Sequence, residues 1–479
     1  MIKNEAVRDH LILEDQQEEA CGVFGIYSND PDFEAATLTY LGLYALQHRG
    51  QESAGIVVSD GQHLAVHKNL GLVSHVFNRD ILEQLKGRIG IGHVRYSTTG
   101  SSLFANAQPL AARCSRGMMA VAHNGNLVNT ESLRIRLQNE GSVFQTTTDT
   151  EVIINLIARH SRDSLPNAII KATAELKGSY SSLIMTKDTL IGVRDPYGVR
   201  PMCLGKLSNA YILASESCVF SSIGARFIRD VEPGEIIFID NDGVRSYHLP
   251  KVNRRALCVF EYIYFARPDS NIDGINVHLA RKAMGNELAK LFKGEADVVI
   301  PVPDTGVSTA VGFAETSGIP YDIGLIKNTY VGRTFIQPHQ ELRDLGVRIK
   351  LNPVESVLRG KRVVIIDDTI VRGTTSGKII HLLRDAGAKE VHMCVSAPPI
   401  THPCYYGIDT SVRKELIASS HSIEEIRRYI GADSLTYLNM EGLLQAMVPK
   451  EELCLACFNG EYPIEIQDEH NDKYLLEER

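Results

Sequence analysis

The segment VVIIDDTIVRGTTSGK, residues 363–378, carries the densest set of chemistry-bearing residues in the chain. An apolar run ends in Asp367 and Asp368, and Arg372, Gly373, Thr374 and Thr375 follow ahead of a helical pattern expected to begin at Ser376. Such a strand delivers its last residues to the carboxyl end of a parallel sheet, where open α/β folds bind their ligands. The loop after it offers unpaired backbone N–H groups at the positive end of a helix, which stabilises a phosphate without any basic side chain. Two adjacent carboxylates would repel that phosphate unless they hold sugar hydroxyls or a cation. The combination describes a magnesium-bound phosphorylated sugar. The plainer reading, paired acids capping the next helix, accounts for the acids but not for the Arg-Gly-Thr-Thr run beside them.

A second strand end, VVIPVPDTG, sets Asp304, Thr305 and Gly306 before a helix expected near Ser308. Between the two strand ends lies a segment with little apolar periodicity that holds Lys327, Arg333, Arg343, Arg348 and Lys350. It reads either as an exposed basic loop or as a cationic lid that closes over a pyrophosphate.

A different chemistry starts at Cys21, the first residue of the strand-like CGVFGIY, behind a polar, acidic leader. Removal of that leader would free an α-amino group of pKa about 7.7–8.0 beside the thiol. Such an amine can serve as general base for its own side chain, which matters because none of the sixteen histidines is an evident partner. Taken alone, Cys21 equally reads as a buried strand cysteine. Around it in sequence stand groups suited to glutamine. Arg95 in IGHVRYSTTG can clamp a carboxylate, Asp149 in TTTDTE can pair with an α-ammonium, and Asn124 with Gly125 in AHNGNL offers an amide and a backbone N–H to an oxyanion. His63 and His67 stand four apart, but the alternation around them reads as a strand, not as a metal site.

Two kinds of element must position these groups. From Cys21 to about Leu249, short strand-like runs alternate with turns and with helical patterns at 33–46, 151–160 and 166–176. Two sheets between two layers of helix would bury that many strands. From about Asn253 the pattern becomes helix, continuous apolar strand, loop, repeated, as a doubly covered parallel sheet requires. The expected fold is α/β, with residues 1–20 as a propeptide, 21–252 as the first domain and 253–479 as the second.

Composition narrows the function classes. The 479 residues are 44% apolar and 23% charged, and no apolar run approaches the ~18 residues of a membrane helix. The net charge is −8, of which residues 1–20 contribute −4 and residues 461–479 contribute −5. The body is left at +1, with no basic excess for a nucleic-acid backbone. Nine cysteines without a disulfide framework, and no export signal at the start, lead us to expect a cytoplasmic protein.

The glutamine-directed residues resemble the glutaminase half of the N-terminal-nucleophile amidotransferases, through QHRGQESAG (47–55), GHVRYSTTG (92–100), HNGNL (123–127) and TTTDTE (146–151). Segment 363–378 resembles the phosphoribosyl pyrophosphate (PRPP) signature of the type I phosphoribosyltransferases. Together the two halves resemble the amidophosphoribosyltransferase family over the whole chain after the leader. The resemblance implies an N-terminal αββα Ntn-hydrolase glutaminase sandwich followed by a Rossmann-like phosphoribosyltransferase domain. It implies that Cys21 attacks the glutamine amide, that Arg95 and Asp149 hold the amino-acid end, and that Asn124 and Gly125 form the oxyanion hole. Ammonia would then displace pyrophosphate from PRPP in the first committed step of purine biosynthesis. By the same resemblance Asp304, Lys327, Arg333, Asp367, Asp368, Thr369, Arg372, Gly373, Thr374 and Thr375 bind PRPP, with Thr305, Asp367 and Asp368 at its magnesium.

Some members of that family carry a cleaved leader and an iron–sulfur cluster, and this chain has both marks. Ala20 stands directly before Cys21, where processed members carry an acidic residue. Cys258, Cys404, Cys454 and Cys457 match the ligands of a 4Fe-4S cluster; a lone C-x-x-C, such as the last pair, also reads as a redox or zinc site. Cys114, Cys203, Cys218 and Cys394 read as ordinary buried thiols. The family is commonly tetrameric, and purine nucleotides are its expected inhibitors. Two rivals make different use of the same motifs: a PRPP-binding regulator of transcription, and an amidotransferase with another acceptor.

Overall fold

The computed structural model describes residues 21–96, 101–328, 350–410, 413–447 and 452–466. The expected cationic lid falls largely on residues 329–349, so Arg333, Arg343 and Arg348 lie outside the described residues, as do the leader and 97–100.

The first half is built on two antiparallel sheets. Seven strands run in the order Arg226–Asp230, Cys203–Leu207, Ala210–Ala214, Gly22–Tyr27, Ile89–Arg95, Ser53–Ser59, Leu64–Leu70. Six more run Gly243–His248, Glu235–Asp240, Leu190–Arg194, Gly178–Met185, Gly117–Leu127, Leu110–Cys114. Alternation decides what each face touches. On the central strand of the first sheet Val23 and Tyr27 join Val57, Ile91, Ala122 and Leu183 in the core between the sheets. Phe24 and Ile26 turn the other way, under helix Ala35–Ala45. A Cβ on Gly42 would stand 2.4 Å from the Phe24 ring, so a glycine lets that helix sit close. Helices Thr130–Asn139, Thr150–Arg159 and Leu165–Ala174 cover the far face of the second sheet. The result is helix, sheet, sheet, helix, as expected.

The second half centres on four parallel strands in the order Val298–Pro301, Arg362–Asp367, Glu390–Val395, Ser434–Tyr437. Val299, Val364 and Ile366 pack beneath helices Val277–Leu291 and Gly306–Ser317, and Ile300, Val363 and Ile365 beneath Thr374–Asp385 and Ile423–Ile430. Both faces are buried, which is why these strands are continuously apolar. Helix Thr374–Asp385 begins two residues before the expected Ser376, because Gly373 adopts φ +82° as its N-cap and both threonines enter the first turn. A short parallel bridge of Leu257–Cys258 with Leu453–Cys454 ties the C-terminal segment to the start of this half. Among the described residues no helix is long and apolar enough to cross a membrane.

Candidate active site

Cys21 precedes the central strand of the first sheet, and the pairing Gly22↔Val94 brings it beside Arg95 and Tyr96. Its Sγ donates to the Tyr96 carbonyl at 3.1 Å and accepts from the Tyr96 N–H at 3.4 Å. Burial pushes the thiol up to about 12, with the Arg95 guanidinium pulling against it. No described histidine or carboxylate hydrogen-bonds to Sγ.

Asn124 and Gly125 lie on strand Gly117–Leu127 in the second sheet. Asn124 is 1% exposed, and its Nδ2 has no partner among the described residues. A buried amide donor left unpaired costs about 1–3 kcal/mol, a cost that an oxyanion would offset. Gly125 holds φ +145°, and a Cβ there would meet the Ser179 carbonyl at 2.1 Å, so only glycine fits. Asp149, at the start of helix Thr150–Arg159, accepts from the Leu127 N–H at 3.1 Å and faces His123 Nδ1 at 3.4 Å. Burial opposes its ionisation, but His123 and these hydrogen bonds override it and hold the carboxyl below the ordinary range. Arg95 is buried; its Nη1 donates to the Ser101 carbonyl at 3.1 Å and lies 3.8 Å from Glu52.

Arg95, Glu52, Asp149 and Arg200 all act electrostatically on the Cys21 thiol, so residues from four stretches of sequence converge there. Sequence reasoning missed Glu52, His123 and Arg200. Glu52 and His123 sit inside motifs that it had singled out, QHRGQESAG and HNGNL; Arg200 carries no local signal.

At the second site, strand Arg362–Asp367 delivers Asp367 and Asp368 to its carboxyl end. Thr305 Oγ1 donates to Asp368 Oδ2, joining the ends of neighbouring strands, and Thr369 Oγ1 donates to Asp368 Oδ1 at 2.9 Å. Burial raises the Asp368 carboxyl, although Thr305, Thr369 and the Arg281 guanidinium lower it in turn. A divalent cation would favour its ionised form, so the oxygen-rich set Thr305, Asp367 and Asp368 fits magnesium. Lys327 Nζ pairs with Asp304 Oδ2 at 2.6 Å. Arg372 pairs with Glu415, and Gly373 lies against Ile417 and Tyr429, 3.2 Å from where its Cβ would be. Thr374 and Thr375 open the following helix.

The four cysteines expected as cluster ligands are free, buried and close. Cys258 and Cys454 are register partners in the parallel bridge. The Cys404 and Cys457 side chains share a hydrogen bond that draws Cys404 down to about 7, and burial pushes Cys258 up to about 12. Among the described residues no group of three or more His, Cys, Asp or Glu side chains is arranged to hold a single metal ion. The four thiols are buried and interact electrostatically with one another, and their all-thiolate chemistry fits a larger cluster. Cys203, Cys218 and Cys394 are buried as expected. Cys114 is only half-buried, because it ends strand Leu110–Cys114 at a turn. His63 is exposed beside Asp60, whereas His67 packs edge-on against Phe77 from strand Leu64–Leu70.

Residues 93–222 match the family model of the glutamine amidotransferase domain, and residues 274–422 that of the phosphoribosyl transferase domain. The chain is 54% identical to the amidophosphoribosyltransferase of Bacillus subtilis, over 94% of this chain and 95% of the relative. It is 51% identical to that of Methanocaldococcus jannaschii, over 94% and 98%. Among solved structures it resembles the B. subtilis glutamine PRPP amidotransferase complexed with ADP and GMP, with TM-score 0.88 and 53% identity over 94% of this chain and 98% of that one. Each of these relatives is named for the coupled reaction, not as a regulator and not for another acceptor.

Proposed function

The chain belongs to the amidophosphoribosyltransferase family, and from that premise we propose how its own residues divide the work. The reaction is the first step of purine biosynthesis: glutamine, PRPP and water give 5-phospho-β-D-ribosylamine, glutamate and pyrophosphate.

Cys21 Sγ attacks the side-chain amide of glutamine. Removal of residues 1–20 frees the α-amine of Cys21, whose pKa of about 7.7–8.0 suits it to take the thiol proton and return it to the leaving ammonia. A thiol held near 12 by burial cannot ionise unaided at neutral pH, which supports the need for that base. Asn124 Nδ2 and the Gly125 N–H stabilise the tetrahedral oxyanion. The observation that carries this half is the buried amide of Asn124, without a partner among the described residues, on the sheet facing Cys21. Arg95 clamps the α-carboxylate and Asp149 the α-ammonium. Water then hydrolyses the thioester to glutamate.

Ammonia passes to the second domain and displaces pyrophosphate at C1 of PRPP. Asp367, Asp368 and Thr369 orient the ribose, and the Arg372–Thr375 turn cradles the 5-phosphate at the start of its helix. Lys327 and Arg333 hold the pyrophosphate beside the backbone N–H of Asp304. Thr305, Asp367 and Asp368 would hold magnesium, which spreads the charge of the leaving group. Cys258, Cys404, Cys454 and Cys457 would hold a 4Fe-4S cluster, a fixed staple between the C-terminal segment and the start of the second domain. Nucleotides bound to the B. subtilis enzyme support purine nucleotides as inhibitors, and we place the protein in the cytoplasm as a homotetramer.

Cys21→Ala tests the division of labour. It should abolish turnover with glutamine and spare turnover with ammonium; loss of both would show that the thiol does not serve glutamine alone. Intact mass should begin at Cys21, and an active enzyme retaining Met1 would remove the free-amine base.

A further inference from the structure

Three buried side chains connect the cysteine quartet to the nucleophile. Arg49 Nε donates to the Cys21 carbonyl at 3.1 Å, and Nη1 and Nη2 reach Glu261 Oε2 and Oε1 at 2.9 and 2.8 Å. Glu261 opens the π-helical turn Glu261–Phe265, three residues after Cys258, and its Oε1 also accepts from Arg200 Nη1 at 3.1 Å. Arg200 Nη2 donates to the carbonyl of Tyr406, two residues after Cys404, at 3.0 Å. Arg49 is 1% exposed, and Glu261 and Arg200 are 0% exposed.

The loop after Cys404 also touches the strand of the oxyanion residues. Asn126 Nδ2 donates to the Tyr405 carbonyl at 3.0 Å, and Ser179 Oγ to the Tyr406 carbonyl at 2.7 Å. A Cβ on Gly407, at φ +102°, would stand 3.2 Å from the Gly125 carbonyl carbon and 3.0 Å from Arg200 Nη2. The loop following Cys404, the backbone of the oxyanion strand and the Arg200 guanidinium therefore meet at one point.

We propose that Arg200 is a positioning residue for glutamine hydrolysis. Through Glu261 and Arg49 it fixes the backbone at Cys21, and through Tyr406 it fixes the loop that backs Gly125. The order of the segments carrying Cys258 and Cys404 thus sets the geometry of a nucleophile in the other domain. Both guanidinium groups bond the Glu261 carboxylate in a site closed to water, and Arg49 Nη1 also pairs with the buried Glu216, so displacing either guanidinium leaves two buried carboxylates with one guanidinium between them. Such a chain transmits position stiffly. Arg200 Nε, without a partner among the described residues, gives the guanidinium one further donor.

The inference rests on Cys21 being the glutamine nucleophile, and its test keeps the two apart. In the full-length enzyme, Arg200→Lys keeps the charge but loses the fork, and Glu261→Gln keeps the shape but loses the charge. Alkylation of Cys21 by the diazoketone glutamine analogue 6-diazo-5-oxonorleucine is followed by intact mass, alongside pyrophosphate release from PRPP with ammonium. Both variants should alkylate at least about tenfold more slowly, as expected of a misplaced reacting group, with ammonium-dependent turnover unchanged. Alkylation at the parent rate in both variants would overturn the proposal. So would a parallel fall of both activities, or failure of both variants to fold, since either would reduce the network to scaffolding. Cys21→Ala runs beside them: alkylation that survives in it would sink the assignment of the nucleophile, not the coupling.

Discussion

His123 Nδ1 lies 3.4 Å from Asp149 Oδ1, so the residue next to Asn124 also supports the carboxylate proposed to receive the substrate ammonium. A carboxyl held below its ordinary pKa contributes while ionised and loses that contribution as pH falls through its lowered value. The glutamine KM should accordingly stay flat with falling pH until below the usual carboxylate range of about 4. Asp149→Asn should raise the glutamine KM by about 10- to 100-fold, the loss of one charged hydrogen bond of ~1.5–3 kcal/mol. Steady-state kinetics with glutamine and with ammonium checks this, and an unchanged glutamine KM in the variant would contradict it.

Asn124 makes the opposite split. An oxyanion donor acts on the transition state and hardly on the bound substrate, so Asn124→Ala should lower glutamine kcat by about 10²–10³ with little change in KM. A rise in KM at constant kcat would assign the amide to ground-state binding instead.

Asp368 yields a stability prediction whose sign runs against the usual acid case. Burial raises its folded pKa, so the folded chain prefers the protonated form, and stability is lost as pH rises above the unfolded value near 4 and through the raised folded value. Asp368→Asn, neutral at every pH, should melt no lower than the parent at pH 7 while losing PRPP-dependent turnover. Melting curves with and without magnesium and PRPP measure both effects; a destabilised variant would mean that the charge is already compensated without ligand.

The cysteine quartet predicts about four iron and four sulfide per chain in anaerobically purified protein. Cys457→Ser should lose both. Stoichiometric zinc in the parent would contradict the cluster.

How far the sequence could be read follows from the range of each interaction. The turn at 367–375 was legible because strand end, loop and helix start are contiguous; only the helix start was misplaced, since Gly373 at positive φ admits both threonines to the first turn. Asn124 and Gly125 on one strand, and Asp149 at a helix start, could be singled out because each lies in a contiguous motif. Arg200 and Glu261 could not, nor could the role of Arg49 within QHRGQESAG, because their meaning lies in hydrogen bonds spanning 28 to 212 residues of chain. Cys114 was misjudged for a simpler reason: it ends its strand at a turn, where this chain leaves it only partly covered.

The central claim is that one chain couples two chemistries. The most direct measurement follows glutamate and pyrophosphate together, with anaerobically purified protein, magnesium and glutamine, in the presence and absence of PRPP. The account predicts that both products rise one for one, and only when PRPP is present. Glutamate released at the same rate without PRPP, or PRPP bound with no pyrophosphate released, would contradict it.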